Sequence, residues 1–229
     1  MAKGHFKRYR LAAIALAVLL GAFVLWHIAI GWSPSLDDYA DQGIVVDETN
    51  GQPTWSTLAA TGVDFAYLTA TVGDKQRDPS FAANLEGASD VGIRYGALHK
   101  FDICRLATDQ ATLFITTVPR SPNALPPVVA LDYSQTCNSK PDRALILSEV
   151  STFLSQIEAH SGTQAVLLLS QDFEEQYRIS AAVDRNVWLE RNWMLPDYAA
   201  KPWVMWTANS ARSVDGADGR VRWVVVRGK

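Results

Sequence analysis

The fold this sequence predicts is an α/β one: an irregular (β/α) barrel of the TIM-like kind, with fewer helices than strands, preceded by one transmembrane helix. Three observations predict it. Short β-rich runs alternate with helical patterns after residue 42, which is the signature of a mainly parallel sheet. Eight such runs fit into about 190 residues, as a closed barrel requires. The last three runs lie close together with long loops between them, leaving no room for a full set of helices. An open doubly wound sheet is the alternative, but no glycine-rich phosphate loop follows any strand.

The chain opens with a basic tail, residues 1–10, carrying Lys3, Lys7, Arg8 and Arg10. Leu11 to Trp32 is apolar apart from His27. As a helix it rises about 33 Å, enough for a hydrocarbon core of roughly 30 Å. It is longer than the apolar part of a cleavable signal, and Ala29-Ile30-Gly31 makes a poor cleavage site, so it reads as an uncleaved anchor. Basic residues before it and none just after it place the N-terminus in the cytoplasm and the rest outside the inner membrane, in the periplasm. His27 reads as a residue near the outer headgroups. Residues 33–41 are a short polar tether, and 42–229 form the exported domain.

Within that domain the strand-like runs are Gly43–Val46, Phe65–Thr71, Arg94–His99, Pro127–Asp132, Ala165–Ser170, Val187–Glu190, Trp203–Ala208 and Val221–Arg227. Helical patterns separate the first five. Asp78-Pro79 supplies a cap and a first-turn proline for a helix ending before Gly92. Pro141-Asp142 opens the longest helix, Gly162 closes it, and Leu145, Val150, Phe153, Leu154 and Ile157 give it an apolar stripe. A short helix covers Asp172–Arg178.

Of the 21 Lys and Arg residues four lie in the tail, leaving 17 against 24 acids, a net −7 for the domain. That balance excludes nucleic acid as a partner. Cys104 and Cys137 each follow a predicted strand on the same end of the sheet, so a disulfide in an oxidising compartment is expected. Neither the cysteines nor the four histidines have metal-ligand spacing.

Gly43-Ile44, Gly51, Trp55, the Gly62-Val63-Asp64-Phe65-Ala66-Tyr67 block, Ala70-Thr71 and Gly73 resemble the opening of glycoside hydrolase family 25, the lysozymes that cut between N-acetylmuramic acid and N-acetylglucosamine. The likeness continues through Asp78-Pro79, Phe81, Asn84, Gly96-Ala97-x-His99 and the Pro126–Asp132 strand, and covers about residues 41–227. It implies peptidoglycan as the ligand, no cofactor, and a site at the C-terminal ends of the strands.

The resemblance also implies which groups should do the chemistry, and several are replaced. Glycoside hydrolysis needs two carboxyl groups. The family's Asp-x-Glu pair reads Asp132-Tyr133-Ser134 here, so the proton-donating glutamate is Ser134. Other family carboxylates fall on Val45, Val72 and on or near Arg222. The aromatic after His99 is Lys100, and a strand tyrosine falls on Leu169. Asp47, Asp74 and Glu190 are substitutes that alternation sets on the face of the lost acids, to act with Asp132; the plainer reading makes Asp47 and Asp74 solvated loop acids. His99, Tyr133, Ser134, Trp193 and Trp206 are candidate ligand contacts, with Tyr198 a further sugar platform. His99 is equally a satisfied core residue, and packing is preferred for Trp206. Three functions follow: a binding domain for peptidoglycan that has lost catalysis, an unusual active muramidase, or a scaffold for an envelope protein partner.

Overall fold

The computed structural model describes residues 2–133 and 139–228, with side chains from residue 10 onward. It divides into two compact units, residues 1–32 and 33–229. The first is one helix, α1 (Ala2–Gly31). Its stretch Arg10–Gly31 is long and apolar enough, by length and composition, to cross a membrane.

The second unit is the barrel. Its elements run β1 (Gln42–Val46), α2 (Trp55–Ala60), β2 (Phe65–Val72), β3 (Gln76–Arg77), α3 (Phe81–Asp90), β4 (Arg94–Lys100), α4 (Ala107–Thr117), β5 (Val128–Leu131), α5 (Arg143–Ser161), β6 (Val166–Leu169), α6 (Gln171–Tyr177), α7 (Ile179–Ala182), β7 (Asn186–Glu190), β8 (Met205–Arg212) and β9 (Val221–Val226). Strands β1, β2, β4, β5, β6, β7 and β8 are parallel neighbours in that order. Strand β9 runs antiparallel between β8 and β1 and closes the ring. The eight expected strands are all present. The ninth, β3, is a two-residue hairpin partner of β2.

Alternation decides what fills the barrel. Val45, Tyr67, Leu98, Val128, Val166, Leu168, Trp188 and Val224 form one buried cluster, drawn from every second position of their strands. Gly96 makes room for Tyr67, since a Cβ there would sit 2.4 Å from the tyrosine ring. The opposite strand faces carry the helices. Helix α5 begins where Asp142 accepts a bond from Leu145 N at 2.9 Å and ends at Gly162, whose φ of 77° suits a left-handed cap. Ile146, Val150, Phe153, Leu154 and Ile157 are its buried stripe. Leu145, expected in that stripe, is half exposed because the period places Ile146 inward instead. Asp78 does not cap α3 either. Its carboxylate accepts from Ser80 N at 2.8 Å and from Glu48 N at 2.7 Å, tying the β3–α3 turn to the loop after β1.

The expected tether is folded against the domain. Gln42 donates from Nε2 to the carbonyls of Pro34 and Tyr39 at 3.1 and 2.9 Å. The Tyr39 ring packs on Trp203 and Trp206. The chain thus enters the barrel at the N-terminal end of β1, the end opposite the one where the parallel strands finish.

Candidate functional site

A cleft of about 780 Å³ opens at the C-terminal ends of the strands. It is lined by Val45 of β1, Val72 of β2, Lys100 of β4, Ala130 of β5, Leu168 of β6, Glu190 of β7 and Arg222 of β9, and by Asp47, Asp74, Asp132 and Ser170 just beyond the ends of β1, β2, β5 and β6. Gly73 turns the chain at the rim with φ 55°, and its N–H reaches Lys100 O at 2.9 Å. Val45 and Val72 face the cleft and make its floor apolar.

Asp47, Asp74, Asp132 and Glu190 all line this one cleft. Three of them are paired with cations. Lys100 Nζ lies 3.0 Å from Asp47, Arg105 Nε 3.7 Å from Asp74, and Arg222 Nη1 3.4 Å from Glu190. The first pair spans β2 and the third spans β8, where Thr207 also donates to Glu190 at 3.4 Å. Burial pushes the Asp47 carboxyl up, but hydrogen bonds from Thr49 and Lys100 outweigh it and hold the group below the usual carboxylate range. Asp47 is therefore an ionised acceptor, which is unsuited to donating a proton near neutral pH. Asp132 is exposed, and its Oδ1 accepts from the following Tyr133 N–H at 2.8 Å.

The lining has five acids, Asp47, Asp74, Asp102, Asp132 and Glu190, against five bases, Lys75, Lys100, Arg105, Arg220 and Arg222. The surplus of acids in the domain is thus absent from its mouth. Lys100 and Arg222 register in the sequence as lost family residues. Their second role, as partners of Asp47 and Glu190, depends on contacts across intervening strands that linear spacing does not show.

Other expected contacts lie elsewhere. His99 is fully buried and points away from the cleft, because it alternates with Lys100. Gln110 donates from Nε2 to Asp102 O and Arg105 O, so its Oε1 is the acceptor for Asp102 N–H and for His99 Nε2–H, the latter at 3.1 Å. His99 Nδ1 then accepts the Thr71 hydroxyl at 2.7 Å, a tautomer assigned from the network. Phe153 stacks on the ring at 4.5 Å. Burial lowers the His99 pKa to about 4. Of its two expected readings, ligand contact and satisfied core residue, the burial and the bonds support the second: His99 orients Gln110, which bonds the loop after β4 that carries Asp102 into the cleft.

Trp206 is likewise packed on the outer face, with Nε1 donating to Arg191 O at 2.7 Å. Tyr198 spends its hydroxyl tying Leu169 O to Glu190 N, at 2.6 and 2.7 Å, and does not line the cleft. Leu169 itself faces outward, and Leu168 is the residue at the mouth. Tyr133 lines the cleft beside Asp132, with its ring near Phe173. Trp193 is half exposed on the loop after β7, in a left-handed conformation with φ 62°. That loop is fastened to the cleft rim, where Asn192 and Ser210 exchange bonds of 2.9 and 2.7 Å. Ser134 and Cys137 lie outside the described residues. Cys104 is disulfide-bonded. Among the described residues no cluster of His, Cys, Asp or Glu could hold a metal ion.

A closed barrel with a charged cleft at the C-terminal ends of its parallel strands has the layout of the (β/α) barrel class. The chain belongs to glycosyl hydrolases family 25, whose model matches residues 44–217. A family 25 glycosyl hydrolase from Bacillus anthracis has a similar structure, with a TM-score of 0.79 and 26% identity, covering 87% of this chain and 96% of that one. The bacterial lysozyme from Streptomyces coelicolor shares the fold, with a TM-score of 0.74 at 23% identity, over 82% of this chain and 93% of its own. The uncharacterized protein YegX of Escherichia coli (strain K12) is 26% identical over 196 residues, 83% of this chain and 71% of that protein.

Proposed function

We propose that this chain is a membrane-anchored, lysozyme-like protein of the cell envelope that binds peptidoglycan glycan strands and does not hydrolyse them efficiently. The N-terminal helix is its anchor in the inner membrane, with the barrel on the periplasmic side. One observation carries the loss of catalysis: all three candidate substitutes for the family acids, Asp47, Asp74 and Glu190, are paired with cations, Lys100, Arg105 and Arg222 in turn. For Asp47 the bonds from Thr49 and Lys100 hold the carboxyl below its usual range, which unsuits it for the role of general acid. Glycan binding is the role that the retained cleft supports, with Asp132 and Tyr133 on its wall and Trp193 beside its rim.

The test is a sugar-release assay on purified peptidoglycan, run beside a sedimentation assay for binding. Binding without release is expected. The competing reading is an active muramidase using Asp132 with Asp47, Asp74 or Glu190, and it is favoured by the convergence of all four on one cleft. Release that drops about 10²–10⁴-fold in Asp132→Asn would establish that reading instead.

A further inference from the structure

Three large apolar residues in a row are exposed on the loop after β7: Trp193, Met194 and Leu195, at 53, 59 and 57%. Single exposed apolar residues are ordinary on a protein surface, but a contiguous run of them marks an interaction site. The loop does not expose them by being slack. Arg191 donates from Nη1 to Leu195 O at 3.3 Å and to Asp197 Oδ1 at 2.7 Å, and Trp193 N–H reaches Ala208 O at 2.9 Å. The backbone is fastened at both ends of the run, so Met194 and Leu195 project from a fixed frame.

The tether runs beside this loop, and one indole joins them. Trp206 donates from Nε1 to Arg191 O at 2.7 Å, and its ring centre lies 6.0 Å from that of Tyr39. The tether adds a further apolar side chain, Leu36, which is 65% exposed. It has little length to spare, because Pro34 O already accepts from Gln42 Nε2 at 3.1 Å. Only Ser33 stands between Pro34 and Trp32, the last residue of the apolar segment, and that stretch spans at most about 7 Å. An anchor ending at Trp32 therefore holds this flank of the barrel beside the bilayer.

We infer that Met194, Leu195 and Leu36 enter the lipid surface next to the anchor and hold the barrel against the membrane, a contact that rests on the anchor reading above and extends it. Apolar burial drives the contact, not charge. Arg191 is paired with Asp197 inside the loop, and the acidic domain has no attraction to acidic headgroups. The covalent anchor keeps the loop at a high effective concentration next to the lipid, so a few side chains suffice. Asn192 and Ser210 join the loop to the cleft rim, so the same contact fixes which way the cleft faces.

The test uses full-length protein in phosphatidylcholine nanodiscs, with one fluorophore on Leu195→Cys, on Leu36→Cys, or on Ser89→Cys. Ser89 is an exposed control on α3, on the opposite side of the ring. The disulfide at Cys104 is left oxidised. Lipid bearing a headgroup nitroxide quenches from the membrane, and iodide quenches from water. At Ser89 only iodide should quench. At Leu195 and Leu36 the nitroxide lipid should quench and most of the iodide quenching should be lost, with no change on adding phosphatidylglycerol or salt. Labels at Leu195 and Leu36 that behave like the one at Ser89 overturn the inference. Protection of Leu195 from both quenchers overturns it too, since a protein surface then covers the loop. Failure of the chain to enter the discs overturns the anchor reading itself, and the lipid contact with it. Should one labelled variant fail to fold, the other decides.

Discussion

His99 and Lys100 are chain neighbours on β4, yet they sit in opposite environments. His99 faces the helix layer, fully buried, with both ring nitrogens bonded and Phe153 stacked on it. Lys100 faces the cleft, partly exposed, and its partner Asp47 is reached across a whole strand. The outer face holds a buried histidine in a satisfied network. The inner face holds a partly exposed lysine in an ion pair of 3.0 Å. Fold and chemistry are thus separable at a spacing of one residue, because a strand sends successive side chains to unrelated surroundings.

The largest expected effect is on the outer face. Phe153→Ala removes a fully buried ring and should cost about 3–5 kcal/mol in a denaturant titration, whereas a loss under about 1 kcal/mol would break the contrast. Next comes acid. The unfolded imidazole takes up a proton below about 6.5, while folded His99 does so only near 4. Between those values the unfolded chain binds more protons, so this contribution is whole above pH 6.5 and is lost as pH falls towards 4. The loss is up to roughly 3 kcal/mol. Urea melts across that window should show the slope, and His99→Gln should flatten it. On the inner face, Lys100→Met breaks only a partly exposed pair and should move stability by about 1 kcal/mol or less. The smallest effect is at Trp193→Gly. Relief of a left-handed bulky residue offsets the lost contacts, leaving stability within about 0.5 kcal/mol, while sedimentation with glycan should fall.

The strands were legible because each is a short apolar run with a clear period, and β2, β4 and β6 match their expected ends within a residue. The N-terminal helix was legible from its length and apolar composition. The site was legible in part. Glu190 and Asp132 lie at strand ends where alternation points them inward, and the structure finds them there. His99 was ambiguous because the register relative to the barrel axis, not its neighbours in sequence, decides which face it takes. The β2 irregularity between Thr69 and Thr71 shifts that register by one residue, turning Thr71 outward to meet His99 and leaving Val72 at the mouth. Pairings such as Arg222 with Glu190 join residues 32 positions apart, and no local pattern announces them.

The position of β9 has a consequence for how the protein is made. It is the last strand of the barrel in chain order, and it lies between β1 and β8. Until Val226 has left the ribosome, β1 and β8 each present an unpaired edge, and the ring cannot shut. A nascent chain therefore keeps two adhesive edges throughout its synthesis. The barrel acquires its closed state in one late event, in which the final strand slots between the first and the one before it. A truncation that removes β9 should yield an aggregating chain and not a smaller barrel, since both exposed edges remain available to other copies.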